Sequence, residues 1–316
     1  MMSVYTEVSN EVLATFLEDY DLGQVKTFEG ILEGIENSNF SLETSAGRFV
    51  LTIFEKRASE PDLPYFLQLM DHLADREFPA PKPIRRRDNS SLGRILEKPA
   101  AVVSFLNGKC ATVPSLADAK AAGTALARLH VTAADFPLKR YNNLGLKSWR
   151  PLFQLSASRT QEIEKGLADE IEVALTHLET SWPENLPTGT IHADLFPDNL
   201  FLENGEVSGV IDYYFAAHDT LAYDLAITLN SWCVDTNRSW NSELAEAMLN
   251  GYENVRPLCS NEIEALPLLL QGAAMRFLLT RLHDWLNPEP HALVRPKDPL
   301  EQLACLRLHQ SRKTIT

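Results

Sequence analysis

The sequence predicts an α+β fold in two parts, an antiparallel, β-rich amino-terminal part over residues 1–106 and a mainly helical carboxy-terminal part over residues 107–316. Three observations carry that reading. Runs of β-branched and aromatic residues bounded by turn residues fill the first third of the chain. After Leu106-Asn107-Gly108 the apolar residues recur instead at helical steps of three and four. With 316 residues, 45% of them apolar, the chain exceeds the usual size of one core and can fill two.

Taken in order, Ser38 to Glu43 alternates and Phe49 to Phe54 reads FVLTIF, with the turn Ser45-Ala46-Gly47 between them, so the two predict a hairpin. Asp62 to Ala74 carries Leu63, Phe66 or Leu67, Met70 and Leu73 on one face of a helix, which the prolines at 79, 81 and 83 end. Ile84 to Arg87 and Arg94 to Phe105 predict further strands, with Arg85 to Arg87 a solvated basic run at the tip between them. Ser115 to His130 opens on Ser115 and Asp118, a capping-box spacing with Asp in place of Glu, and carries Leu116, Ala119, Gly123, Leu126 and His130 along one stripe. Thr160 to Ser181, Leu221 to Trp232, Ser242 to Tyr252 and Asn261 to Leu286 predict further helices, the last kinked at Pro267.

Net charge is −14, from 43 acidic against 29 basic residues. That balance argues against a nucleic-acid partner, whose phosphates demand clustered Lys and Arg. Cys110, Cys233, Cys259 and Cys305 lie far apart with no C-x-x-C pair, so neither a disulfide framework nor a zinc module is expected, and a reducing cytoplasm is the simplest home. No apolar run approaches the ~18 residues of a membrane span, and Met1 to Asn10 lacks the pattern of an export signal.

The chemistry is concentrated in residues 188–215, TGTIHADLFPDNLFLENGEVSGVIDYYF. Short apolar strands flank His192-Ala193-Asp194-Leu195-Phe196-Pro197-Asp198-Asn199, and a turn at Asn204-Gly205 leads through Val207 to Ile211 into Asp212. A polar loop tied on both sides into a sheet aims its side chains rigidly. Phosphoryl transfer asks the protein for a carboxylate near the acceptor hydroxyl and oxygen ligands for Mg²⁺. Asp194 fits the first role, and the Asn199 amide oxygen and the Asp212 carboxylate fit the second. His192 reads as structural, its ring tying the loop to neighbouring backbone, and Asp198 as a turn or capping residue beside Pro197.

The pattern HADLFPDN followed by GVIDYY resembles the aminoglycoside phosphotransferase and choline kinase superfamily, whose fold is related to that of protein kinases. AVVSFL before Gly108 resembles the connection whose backbone receives adenine, which implies Ser104, Phe105 and Leu106. GTALARLH at 123–130 and Asp224-Leu225-Ala226 resemble two of the family's helices. Within the superfamily, residues 34–56, the DLPYFLQLMDHLADREFPAPKPI stretch, IHADLFPDN, GVIDYYFAA and AMRFLLTRLHDW resemble the homoserine kinases of this fold. The resemblance implies a bilobal kinase with ATP and Mg²⁺ as cofactors and an amino-acid alcohol, L-homoserine, as the small-molecule acceptor.

The resemblance also implies a phosphate-covering turn near 30–40, where Gly34, Asn37 and Ser38 offer donors, and a phosphate-binding cation on the strand 50–53. Thr52 stands at that cation's place. Thr52 then hydrogen-bonds phosphate without charge, or a cation comes from elsewhere, Lys56 and Arg57 being nearest. No helix glutamate that would pair with such a cation is evident either, and losing both partners together avoids an unpaired buried charge. For an amino-acid carboxylate Arg276 is the candidate, with Tyr214, Asn230 and Asp235 for the rest of the acceptor. Two other classes stay open: a metal-dependent phosphohydrolase using His192, Asp194, Asp212, His218 and Asp219, and a kinase-like binding module that transfers nothing.

Overall fold

A computed structural model describes residues 6–31, 37–55, 59–235, 238–288 and 296–312. The chain divides into two compact units, Met1–Gly108 with Ser208–Tyr214, and Lys109–Val207 with Phe215–Thr316.

The first unit opens with α1 (Asn10–Leu17), capped where the Ser9 hydroxyl accepts from the Val12 amide at 3.3 Å. The sheet then forms from β1 (Val25–Ile31), β2 (Ser38–Thr44) and β3 (Gly47–Ile53), followed by α2 (Leu63–Ala74), β4 (Gly93–Ile95) and β5 (Lys98–Ser104). All neighbours are antiparallel, in the order β1-β2-β3-β5-β4. The β2/β3 hairpin turns through Ser45 and Ala46, with Ser38 opposite Ile53 and Asn39 opposite Thr52. Its alternate residues Phe40, Leu42, Leu51 and Ile53 pack with Leu13, Phe16 and Val102 into one core. Burying such side chains contributes roughly 1.5–3 kcal/mol each.

Several expected elements differ. Residues 84–87 form no strand: Pro83 bridges Val103, the Ile84 amide donates to Val102 O, and the Arg86 amide donates to Ser90 O, closing a turn. Arg85, Arg86 and Arg87 in that turn pair with Asp71, Asp19 and Asp21. The stretch 94–105 is two strands, because Leu96 and Glu97 both take positive φ, 48° and 65°, and make a tight hairpin turn. α1 and β1 were not expected; β1 is an edge strand with no alternation to read, its residues almost all exposed.

The second unit comprises β6 (Lys109–Cys110), α3 (Leu116–Thr132), α4 (Leu146–Gln154), α5 (Leu167–Ser181), β7 (Thr188–Ile191), β8 (Leu200–Glu203), β10 (Ala217–Thr220) and the helices α6 (Leu221–Cys233), α7 (Ser242–Glu253), α8 (Ser260–Leu286) and α9 (Pro299–Ser311). Between β8 and β10, β9 (Glu206–Val210) begins in this unit and ends in the other. α3 carries the Ser115/Asp118 capping box. The helix expected over 160–181 is split: Ala157–Glu162 is a 3-10 turn, and Gly166 at φ 82° stands before α5. α8 runs as one helix through Pro267. Among the described residues α8 is the helix long and apolar enough to cross a membrane, and 61% of its most apolar window is buried within the fold, as in a core helix.

Candidate active site

In the second unit β7 pairs with β10, Ile191 opposite Ala217, and delivers the chain to His192. The loop that follows is held from beneath by Asp224 in the first turn of α6. The His192 amide donates to Asp224 Oδ2 at 2.7 Å and the Ala193 amide to Oδ1 at 2.8 Å. His130 Nε2 on α3 lies 3.0 Å from Oδ2, and neither side chain touches solvent. Burial pushes the Asp224 carboxyl up, but the hydrogen bond and charge of His130, with His192 and its amide, outweigh that and hold it below the usual carboxylate range. The two amides fit this acceptor because Ala193 turns through a left-handed φ of 63°.

Asp194 follows that bend with its side chain 17% exposed. Its amide donates to His192 Nδ1 at 3.2 Å, so the buried histidine ring ties the loop to its own backbone. The Trp232 indole and the Ser231 hydroxyl donate to Leu195 O at 3.0 and 3.3 Å. Pro197–Asn199 forms a 3-10 turn with Asp198 in its middle, and the Cys110 thiol donates to Asp198 O at 3.1 Å. Asn199 is 9% exposed and spends Nδ2 on Asp194, 2.8 Å from its carbonyl and 3.3 Å from Oδ2. That leaves the amide oxygen as the end suited to a cation.

Arg276, expected to meet an acceptor carboxylate, is 3% exposed. Its Nη1 donates to Ala193 O at 2.9 Å and lies 3.7 Å from Asp194 Oδ1, while the guanidinium stacks 3.9 Å from the Phe277 ring. α8 so brings this cation under the loop, where Nη1 bonds the loop backbone. The Asn230 side-chain amide donates to Leu270 O at 2.9 Å and accepts from His309 at 2.8 Å, joining α6, α8 and α9. Asp235 is exposed and accepts from the Ser239 amide at 2.8 Å, closing a turn after α6.

The remaining candidates belong to the first unit. Asp212 stands at a left-handed φ of 66°, an uncommon conformation for a residue with a side chain. Tyr214, two residues on, sets its ring edge-on to Phe54 and Phe66. Thr52 donates to Asn39 Oδ1 at 2.8 Å, so its hydroxyl is engaged within the fold. The fully buried Ser38 hydroxyl donates to Glu55 Oε1 at 2.7 Å, and Asn37 Oδ1 accepts from the Glu55 amide at 3.4 Å. Gly34, Lys56 and Arg57 lie outside the described residues. The Ser104 amide donates to Lys82 O at 2.8 Å and the Phe105 amide to Arg48 O at 3.2 Å, which leaves Leu106 as the first of the three expected adenine contacts with its backbone not so committed.

Sequence reasoning missed the support behind the loop. Beyond His130, the Tyr252 hydroxyl is 2.8 Å from Nδ1, Arg256 donates to Tyr252 at 3.1 Å and to Glu262 at 2.9 Å, and Glu262 caps α8 through the Cys259 amide at 3.0 Å. The readable signals were a histidine at the end of the α3 stripe and an aspartate opening α6. Among the described residues no group of three or more His, Cys, Asp or Glu is placed to hold a metal ion, and the Asp219 carboxylate on β10 accepts from Asn142 at 2.7 Å.

The sheet unit and the helical unit that presents the H-x-D loop belong to a phosphotransferase class: residues 27–258 match the family described as "Phosphotransferase enzyme family". The chain belongs to that family, in the branch of the homoserine kinases. It is 50% identical over 314 residues to a homoserine kinase of Afipia carboxidovorans, covering 99% of this chain and 96% of that protein. It is 51% identical over 310 residues to one of Rhodospirillum rubrum, covering 98% and 97%. Among solved structures, an amicoumacin kinase in complex with AMP-PNP and Ca²⁺ is similar at a TM-score of 0.72 and 15% identity, covering 98% of this chain and 95% of that one. That likeness bears on the fold, and the α+β, protein-kinase-like expectation stands.

Proposed function

We propose that this chain is an ATP-dependent homoserine kinase that transfers the γ-phosphate of ATP to the side-chain hydroxyl of L-homoserine, a step toward threonine. One observation carries the acceptor: identity of 50% over 314 residues to a protein named for that activity. Asp194 accepts the proton of the acceptor hydroxyl while that oxygen attacks the γ-phosphorus and the bond to the β–γ bridging oxygen breaks, releasing ADP. Support for Asp194 comes from the bonds of Asp224, His192 and Arg276 to the loop, which aim the carboxylate before substrate arrives. Arg276 Nη1 also stands 3.7 Å from Asp194 Oδ1, beside the carboxylate it helps to orient.

Asn199 Oδ1 and the Asp212 carboxylate are hard oxygen donors of the kind Mg²⁺ takes. When bound, Mg²⁺ neutralises phosphate charge and orients the triphosphate. Leu106 supplies backbone to adenine. ATP and an amino acid as substrates fit a cytoplasmic activity, and the net charge of −14 fits small-molecule rather than nucleic-acid partners.

The test offers purified protein Mg-ATP with L-homoserine, choline, an aminoglycoside or methylthioribose and follows ADP release. Release with homoserine is expected; release with another acceptor alone keeps the kinase and removes homoserine. Asp194→Ala should lower turnover by roughly 10²–10⁴-fold while ATP binding persists. Unchanged turnover would remove Asp194 as the base.

A further inference from the structure

The chain leaves Asp194 through a tight turn. The Phe196 amide donates to Asp194 O at 2.8 Å, a bond between residues two apart that ties the position of the Phe196 ring to the carboxylate before it. Leu195 O, between them, is held by Trp232 and Ser231. The Phe196 ring meets Phe277 of α8 edge-on, with centroids 5.0 Å apart and an interplanar angle of 68°. Phe277 carries the Arg276 guanidinium 3.9 Å from its centroid, and Arg276 Nη1 returns to Asp194 Oδ1 at 3.7 Å. Asp194, Phe196, Phe277 and Arg276 thus close a circuit of contacts within the second unit.

A second cation stands on that circuit. Lys297, immediately before the Asp298 cap of α9, places its ammonium 5.4 Å from the Phe196 ring centroid. Its side chain is exposed, and among the described residues no carboxylate pairs with it. The neighbouring Arg281, by contrast, pairs with Glu301. A cation over a ring at an exposed site gains roughly 0.5–1 kcal/mol, enough to bias where a lysine stem rests but not to occupy three ammonium donors. Of the two cations on the circuit, Arg276 is 3% exposed and Lys297 is the one open to an incoming anion.

We propose that Lys297 is a specificity-determining residue that takes the carboxylate of the acceptor. This rests on the homoserine kinase reading proposed above. With the acceptor hydroxyl at Asp194, the carbon chain lies along the Phe196 ring and the α-carboxylate meets the Lys297 ammonium. The turn between Asp194 and Phe196 fixes the span between the two ends. The same charge opposes acceptors that end in a cation, such as choline or an aminoglycoside, so Lys297 selects against them as well.

The experiment measures steady-state rates of wild type, Lys297→Met and Lys297→Arg with L-homoserine and with 3-aminopropan-1-ol, which is homoserine without its carboxylate. Lys297→Met should raise the KM for L-homoserine roughly 5- to 10-fold, the worth of a partly desolvated charge pair, with kcat and the KM for ATP unmoved. Lys297→Arg, which keeps the charge, should recover most of that loss. For 3-aminopropan-1-ol, kcat/KM should be the same in wild type and Lys297→Met; if it is not phosphorylated, its inhibition constant against homoserine is compared instead. An unchanged KM for homoserine in Lys297→Met overturns the proposal, and a raised KM for ATP in its place assigns the cation to phosphate and overturns it too. Equal losses with both acceptors would mark a structural effect and have the same consequence. Lys297 makes no hydrogen bond within the described fold, so the variants should melt as wild type does. A wild type that phosphorylates another acceptor and not L-homoserine overturns the homoserine reading itself, a result distinct from any of these.

Discussion

Asp224 carries a charge with no solvent contact and spends both oxygens on the catalytic loop and on His130. A buried carboxylate is tolerable only with such partners, and here the partners are the backbone on which Asp194 depends. Asp224→Asn would turn one acceptor into a donor facing an amide. Turnover should fall by roughly 10- to 100-fold, in step with one or two lost charge-assisted bonds, and the melting temperature should fall with it. Turnover unchanged at a lowered melting temperature would make Asp224 a stability residue only. The aspartate was legible as the start of a helix, but its role was not, because the groups it joins stand at 130, 192 and 193, far from it in sequence.

At the scale of elements, α3 and α7 touch at their backbones. A Cβ at Gly123 would stand 2.0 Å from Met248 O, and one at Gly251 would stand 2.1 Å from Lys120 O. That closeness lets Tyr252 on α7 reach His130 on α3 and complete the support of the loop. Gly123→Ala gains helix propensity of roughly 1 kcal/mol but forces the helices apart, and a net loss of about 1–3 kcal/mol is expected, read by denaturant unfolding. A neutral or stabilised variant would show that the helices slide freely. Gly123 was legible as part of a stripe, and the β2/β3 hairpin, α2 and α3 were legible because each has a regular apolar period with turn residues at its ends. α1 and β1 were not, the first being one short amphipathic run and the second an edge strand without alternation.

For the molecule as a whole, α9 closes the helical unit through a buried histidine. His309 bonds Asn230 and sets its ring edge-on to Trp240 at 5.2 Å. Burial, with a smaller contribution from Arg312, pushes its pKa down to about 4. A depressed pKa means the unfolded chain takes a proton that the folded chain refuses, so stability is full above the ordinary value near 6.5 and is lost as pH falls toward 4. The loss amounts to roughly 3 kcal/mol at most. The melting temperature of wild type should drop more between pH 6.5 and pH 4 than that of His309→Gln. Equal drops would place the acid sensitivity elsewhere, among groups such as Glu55, whose carboxyl is also held below its ordinary range despite partial burial, by Lys98, Thr6 and Ser38.

The sequence by itself determined the two-part α+β plan and the segment that carries the chemistry, because hydrophobic period and the contiguous run HADLFPDN are local properties of the chain. Tertiary structure alone decided where the polar side chains go. Arg276 met the loop 83 positions away, Asn230 met His309 across 79, and Thr52 met Asn39 across 13. A buried polar group must find a partner, and which partner it finds depends on the packing of distant elements rather than on its neighbours in sequence.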